Sequence, residues 1–280
     1  MPTVLFSIPA HENHEVLADT IANARKMNGD NHLFMVLPNG NWEDFDPQRI
    51  NIPNVYYNPH RLRSVHGNAH IVHHILNFSV AVQMGLEFDY FAIMHTNELF
   101  VRSGMIDRIT KADYALWFGP EQQPHEMTWP ALGQGYAQQM FGDLFDPSDL
   151  SNYLGNVIEG SWWTKDLFAE IVEWTDGHYS LEELWLPWAA EECYFPTLSY
   201  HLSGKAPFLH PYCAINHSSH NIEEQVFVDT ILANQPLTFW QPHNFVYNWA
   251  PYPTEGIFSV KRIDRCTDDP LRSYIRILQP

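Results

Sequence analysis

The first half of the chain alternates between two kinds of apolar segment. Short runs such as residues 3–8 are mostly apolar and rich in β-branched and aromatic residues, which is typical of buried strands. The longer segments between them place apolar residues at helical spacing, as Ile71, Ile75 and Phe78 do. The pattern predicts strands over residues 3–8, 32–37, 54–57, 90–94 and 114–118, and helices over residues 15–27 and 68–84. It indicates an α/β fold with a mainly parallel sheet and helices on both faces.

The same pattern predicts where a ligand would bind. In open parallel sheets, ligands occupy the crevice beyond the carboxyl ends of the strands. The loops after Ile8, Leu37 and Met94 are therefore the expected binding segments.

The second half of the chain is less regular. Residues 120–154 are rich in Pro, Gln, Gly and Asp without a clear period, which predicts long loops with short helices. Thr164 is a predicted N-cap of a helix that continues to Trp174. A late strand is predicted over residues 257–263, and Asp269 followed by Pro270 predicts the start of a last helix. No linker or repeat divides the chain, so we expect a single domain over residues 1–280.

Composition excludes several classes of protein. The formal net charge of −18 argues against nucleic acid or an anionic membrane as a general partner, because both attract a basic surface. The sequence contains no apolar run of the roughly 18 residues that a transmembrane helix needs. Its three cysteines lack the spacing of metal ligands or of a disulfide framework, which favours a reducing, cytoplasmic setting.

Histidines are abundant, and some have suggestive spacing. One face of the helix predicted over residues 68–84 would carry His70 and His74, with His73 beside them. His66, just before the helix, would lie on the same face. Such a cluster could bind a metal ion or could consist of hydrogen-bonded histidines. Asn97 and Glu98, after the strand over residues 90–94, are a second candidate for a metal site.

Two further groups of charged residues have alternative interpretations. Glu191 and Glu192 lie in an otherwise apolar and aromatic stretch, which suits either a general base or a salt-bridged helix end. Lys261 and Arg262 are expected to be adjacent on the late strand and to point to opposite faces. They could neutralise a bound anion or could be surface charges. Trp162 could stack on a sugar or pack in the core.

Five segments between Ser7 and about Ile275 together resemble glycosyltransferase family 14. This family comprises the core-2/I-branching β-1,6-N-acetylglucosaminyltransferases and the peptide O-xylosyltransferases. The segments are Ser7-Ile-Pro-Ala-His11, the stretch from Phe88 to Val101, Glu159-Gly-Ser-Trp-Trp, Glu191-Glu-Cys-Tyr-Phe-Pro-Thr-Leu198 and Ile257-Phe-Ser-Val-Lys261. They are similar, in the family's order, to its opening strand and histidine loop, its Ser-Gly-x-Asp-Tyr-Pro-Leu loop, its Gly-Ser-Ala-Tyr segment, its Pro-Asp-Glu-x-x-x-x-Thr-Leu motif and its Phe-Ala-Arg-Lys-Phe signature.

The resemblance implies a fold and a reaction. The fold would be a three-layer sandwich of the GT-A type, with residues 1–118 as the nucleotide-binding part and residues 119–280 as the acceptor and catalytic part. The enzyme would transfer a sugar with inversion from a nucleotide-diphosphate donor, with UDP the expected nucleotide, to a hydroxyl of a glycan acceptor. The family's eukaryotic members are anchored in the Golgi, so a chain without an anchor would be a soluble bacterial or viral relative.

The resemblance also implies roles for individual residues. Glu192 aligns with the family's catalytic base, and Lys261, with Arg262 beside it, would stabilise the leaving diphosphate. The other residues expected to bind substrate are His11, Glu98, Trp162 and Glu191. This hypothesis requires no metal, although it leaves Mn²⁺ or Mg²⁺ open.

Two alternatives stay open from the sequence. One is a metal-dependent enzyme that uses the histidines or Asn97 and Glu98. The other is a non-catalytic carbohydrate-binding relative of the same fold.

Overall fold

A computed structural model describes most of the chain. The described residues are 1–11, 13–40, 42–62, 69–116, 141, 144, 154–155, 158–180, 190–204, 206–215, 224–237 and 254–280. The predicted loops over residues 120–154 therefore lie almost entirely outside them, and His66 is also outside.

The described elements follow the alternation that the sequence predicts. The strands are β1 (Val4–Ala10), β2 (Leu33–Pro38), β3 (Val55–Tyr57), β4 (Tyr90–Ile93), β5 (Glu98–Phe100), β6 (Tyr114–Ala115), β7 (Trp162–Thr164), β8 (Phe208–Leu209), β9 (Cys213–Ile215) and β10 (Ser259–Lys261). The helices are α1 (His14–Asn28), α2 (Ala69–Gln83), α3 (Met105–Ile109), α4 (Lys165–His178), α5 (Glu191–Leu202), α6 (Glu224–Leu232) and α7 (Pro270–Ile277), with a 3₁₀ turn at Pro47–Arg49.

Capping residues set several of these boundaries. The Thr164 hydroxyl accepts a hydrogen bond from the Leu167 backbone N–H at the start of α4, and the Asp269 carboxylate accepts one from the Arg272 N–H at the start of α7. Pro270 is the first residue of α7, where its missing N–H costs nothing. Both predicted helix starts are confirmed.

The main sheet has seven strands in the order β3-β2-β1-β4-β7-β6-β8. Strands β3, β2, β1 and β4 are mutually parallel, whereas β7 runs antiparallel to both β4 and β6. The predicted parallel sheet is therefore confirmed for its first part, and the complete sheet is mixed. Because β7 and β8 come from residues 119–280, the two predicted parts of the chain share one sheet.

Helices cover both faces of this sheet. On one face, Leu5, Met35 and Ile93 belong to a buried cluster with residues of α2, α4 and α5. On the other face, Val4, Phe6 and Ile8 of the same strand β1 pack with residues of α1 and α3. Alternate residues of a strand point to opposite faces, so a strand covered on both sides is mostly apolar. This explains the mostly apolar runs of the sequence.

A second, three-stranded sheet has the order β5-β10-β9. Strand β10 is antiparallel to β5 and parallel to β9, and its register places Lys261 opposite Glu98. Residues of α6 and α7 bury the outer side of this sheet. Among the described residues, no helix is both long enough and apolar enough to cross a membrane.

Candidate functional site

A polar cavity of about 270 Å³ opens at the carboxyl ends of β1 and β4. Helix α1 leads from β1 to β2 on one side of β1, and α2 leads from β3 to β4 on the other side. The strand order therefore reverses at β1, and open α/β sheets bind ligands at such a switch point. The cavity is lined by Pro9, His11, His70, His95, Thr96, Asn97, Ile158, Glu159, Glu191, Lys261, Arg262 and Arg265.

The first residue of α5, Glu191, is the most unusual acid in this cavity. Its side chain is buried, and its Oε2 atom has no hydrogen-bond partner among the described residues. Burial raises the pKa of Glu191 to about 7, and the nearby Glu159 carboxylate adds to the shift. A carboxyl group with this pKa can take up a proton near neutral pH.

The neighbouring carboxyl group, that of Glu192, does not line the cavity. Glu192 is half-buried on α5, and successive residues of a helix point about 100° apart. Of these two adjacent glutamates, only Glu191 therefore lines the cavity.

A buried ion pair forms one wall of the cavity. The Lys261 Nζ atom lies 2.5 Å from the Glu159 Oε1 atom, and both side chains are largely buried. Burial acts to raise the pKa of Glu159, but the charge and hydrogen bond of Lys261, together with a backbone hydrogen bond and His70, lower it below its usual value. Lys261 is thus already engaged by a carboxylate of the protein.

The turn that presents Glu159 requires glycine at position 160. Gly160 has φ +71°, and a Cβ atom added there would lie 2.3 Å from the Cys213 backbone nitrogen. The backbone of this turn packs directly against β9, so only glycine fits.

Arg262 reaches the same cavity as Lys261, contrary to the prediction that they point to opposite faces of one strand. Strand β10 ends at Lys261, and Arg262 has φ +73°, outside the strand conformation. The left-handed backbone redirects the chain, so that Arg262 and Arg265 both line the cavity. Arg265 is a cavity residue that the sequence analysis missed.

Two residues expected to bind substrate lie in the protein interior. Glu98 and Trp162 are both completely buried, and neither lines the cavity. Glu98 accepts a hydrogen bond from the Ser259 hydroxyl at 2.6 Å and another from the His95 backbone N–H at 3.2 Å. Burial raises its pKa to about 7 despite these bonds. Trp162 packs in the sheet core, with its ring centroid 6.1 Å from that of Tyr90.

Histidines form the floor of the cavity. His70 and His95 line it, with ring centroids 6.4 Å apart, and His73 and His74 lie behind them on α2. Burial lowers the pKa of His70 to about 4 and that of His73 to about 3, and it lowers those of His74 and His95 well below the usual range. These imidazoles are therefore neutral at physiological pH. Within the described part of the chain, no three His, Cys, Asp or Glu side chains converge to hold a metal ion.

A second cavity, of about 450 Å³, lies on the other side of His11. Its wall is partly aromatic, because the His14 ring is 4.6 Å from that of Trp42 and stacks on Phe45 at 5.6 Å between centroids. The His14 Nε2 atom accepts a hydrogen bond from the Asp46 backbone N–H at 2.8 Å. His11 is half-buried, lies 2.8 Å from the Asn39 amide nitrogen through Nδ1, and lines both cavities.

No protein-family model and no curated protein matches this chain.

Of the seven residues that the sequence analysis assigned to the site, the structure brings four to the first cavity: His11, Glu191, Lys261 and Arg262. Glu159 and Arg265 join them. Glu159 begins one of the segments of the family resemblance but was given no role, and neither spacing nor periodicity distinguishes either residue from a surface charge.

Proposed function

We propose that the protein is an inverting glycosyltransferase of the GT-A type, related to glycosyltransferase family 14, that uses a nucleotide-sugar donor. The observation that carries this proposal is a buried acid in the same cavity as three cationic side chains, those of Lys261, Arg262 and Arg265. The position of this cavity at the switch point of an α/β sheet supports a nucleotide as the ligand.

In this proposal, Glu191 is the general base. As the acceptor oxygen bonds to the anomeric carbon of the donor, the hydroxyl proton passes to the Glu191 carboxylate and the bond from that carbon to the diphosphate breaks. The raised pKa of Glu191 suits the task, because a base that accepts a proton near neutral pH is most effective there. Glu191 takes this role in place of Glu192 because it faces the cavity.

The leaving diphosphate requires positive charge. Arg262 and Arg265 supply it directly, since both line the cavity and a guanidinium group matches the geometry of phosphate oxygens. Lys261 contributes from the wall, where Glu159 holds its ammonium group in place. These cations perform the neutralisation that a divalent ion provides in metal-dependent enzymes.

The second cavity accommodates the nucleoside in this proposal. It is larger than the first, it adjoins the first at His11, and Trp42 and His14 are among the residues that line it. A nucleotide sugar would then extend across His11, with its base in the second cavity and its diphosphate in the first.

A thermal-shift screen of nucleoside diphosphates and their sugars tests the proposal. A ligand at about 100 times its Kd should stabilise the protein by about 2.7 kcal/mol, a readily measured shift. Arg265→Gln should weaken the response, whereas Arg25→Gln, which changes an arginine that lies outside both cavities and pairs with Asp30 at 2.8 Å, should leave it unchanged.

The arms of the screen separate the alternatives. A response that requires Mn²⁺ and is abolished by chelator would indicate the metal-dependent enzyme. A response to free glycans alone would indicate a carbohydrate-binding protein without transferase activity. No response to any nucleotide would contradict the proposal.

A further inference from the structure

The last helix of the chain contains a completely buried arginine. The Arg272 guanidinium of α7 donates from Nη1 to the Asp19 carboxylate at 2.8 Å, and the two groups form an ion pair. The same guanidinium also donates from Nη2 to the Thr96 carbonyl at 2.9 Å and from Nε to the Asp264 carbonyl at 2.7 Å. A buried charge is tolerated only when it is paired and hydrogen-bonded, and Arg272 satisfies both conditions.

The two carbonyls that Arg272 contacts belong to two separate segments of the first cavity. Thr96 lies between His95 and Asn97, and all three residues line the first cavity. Asp264 lies between Arg262 and Arg265, the two arginines of the cavity. One guanidinium group therefore ties the loop after β4 to the loop after β10.

One further hydrogen bond joins the same two segments, and another joins the loop after β4 to α1. The Ile263 backbone N–H donates to the Asn97 carbonyl at 3.1 Å. On α1, the Thr20 hydroxyl donates to the Thr96 carbonyl at 2.9 Å, so that this carbonyl accepts from both helices. The planar fork of Arg272 reaches Asp19, Thr96 and Asp264 at once, which the single ammonium group of a lysine cannot do.

We infer that Arg272 is a positioning residue, which holds Arg262 and Arg265 at a fixed distance from the loop after β4 and so prepares the cavity for an anionic ligand. This inference rests on the proposed function only for the nature of the ligand. The geometric part, that one buried guanidinium sets the relation of the two loops, can be tested without any ligand.

Arg276 provides a matched control on the same helix. Its guanidinium also pairs with Asp19, at 2.7 Å, but its other hydrogen bond goes to the Thr267 carbonyl, which is not in the cavity. The substitutions Arg272→Lys and Arg276→Lys both retain the positive charge beside Asp19. They differ in whether the contacts to the two cavity loops are lost.

The first measurement is hydrogen–deuterium exchange on the complete chain. Arg272→Lys should accelerate exchange in peptides that cover residues 96–98 and 262–265 by roughly tenfold, because their shared support is lost. Arg276→Lys should leave these peptides unchanged. Equal exchange in both variants and the wild type would overturn the inference.

The second measurement is calorimetric binding of inorganic pyrophosphate, the simplest diphosphate probe. We expect Arg272→Lys to raise its Kd roughly tenfold, corresponding to about 1.4 kcal/mol, and Arg276→Lys to leave it within about twofold. Wild-type affinity in Arg272→Lys would count against the positioning role. If the wild type itself does not bind pyrophosphate or any nucleotide, the proposed function fails, whereas the exchange experiment still decides the role of Arg272.

A milder variant guards against loss of folding in Arg272→Lys. Thr20→Val removes the second donor to the Thr96 carbonyl while keeping the shape of the side chain. It should accelerate exchange over residues 96–98 in the same direction and to a smaller extent, with little effect on residues 262–265. Unchanged exchange over residues 96–98 in a folded Thr20→Val protein would contradict the inference that side-chain donors to the Thr96 carbonyl hold the loop after β4 in place.

Discussion

Two regions of the molecule each bury a glutamate, and in both the buried carboxyl group has a pKa raised to about 7. Glu98 lies in the seam between β5 and β10, where the Ser259 hydroxyl and the His95 backbone N–H donate to it. Glu191 lies at the start of α5, where it lines the cavity and its Oε2 atom has no hydrogen-bond partner among the described residues. The two groups share a pKa shift and differ in access and in hydrogen bonding.

The comparison shows that a raised pKa alone does not identify a catalytic base. Desolvation shifts the pKa in both regions, but a proton acceptor must also reach the reacting hydroxyl. Both oxygens of Glu98 are hydrogen-bonded within the protein, so Glu98 stabilises the junction that presents Lys261. Glu191 has both the shift and the access.

The largest expected effect that separates the two regions is on sugar transfer. Glu191→Gln should slow transfer by ~10²–10⁴-fold, the usual contribution of a general base, while nucleotide binding is retained. Single-turnover transfer from the nucleotide sugar found by the screen measures this directly.

Two matched variants locate the effect. Glu192→Gln changes the adjacent carboxyl group, which lies outside the cavity, and Glu98→Gln changes the buried one in the β5–β10 seam. Both should keep the transfer rate within about tenfold of wild type. A larger loss in Glu192→Gln than in Glu191→Gln would return the role of base to Glu192.

Both glutamates should also make the free energy of unfolding depend on pH, and this effect is smaller. In the unfolded chain these carboxyl groups lose their proton near 4.5, whereas in the folded protein they keep it until about 7. Folding is therefore favoured by protonation, and its stability falls as pH rises through this window, by at most about 1.4 kcal/mol per pH unit for each group. The wild type should lose stability relative to Glu98→Gln and to Glu191→Gln between these pH values.

Urea unfolding across this pH window, with the wild type and both variants, provides the measurement. If the difference in the free energy of unfolding between the wild type and one variant stays constant with pH, the pKa of the carboxyl group removed in that variant is not raised by folding. Only the other glutamate would then have a pKa raised by burial.

Local sequence signals predicted much of the fold. The apolar runs identified β1, β2 and β4, and the caps at Thr164 and Asp269 fixed the starts of two helices. These features depend on neighbouring residues, so a single sequence contains the information. The antiparallel insertion of β7 was missed, because strand direction depends on partners that are distant in the chain.

The cavity was predicted less completely for the same physical reason. Which of Glu191 and Glu192 faces the cavity depends on how α5 is rotated against the sheet, and a shift of one residue changes the direction by about 100°. The left-handed backbone at Arg262 redirects that side chain and precedes Arg265, and no strand periodicity predicts such a turn. Trp162 is the converse of Arg265, because it was assigned to the site but lies in the core. Its residue type suits both stacking on sugars and core packing, so the sequence could not decide between them.

The most direct test of the central claim is a titration of the carboxyl groups themselves. Carbon-13 NMR of protein labelled at the glutamate side-chain carboxyl, with signals assigned through Glu98→Gln and Glu191→Gln, reports each pKa separately. We predict that Glu191 titrates near 7 and that pyrophosphate raises its midpoint further, because a bound anion disfavours the charged carboxylate. A Glu191 signal that titrates between about 4 and 5, the range of an ordinary glutamate, would contradict the assignment of Glu191 as the base.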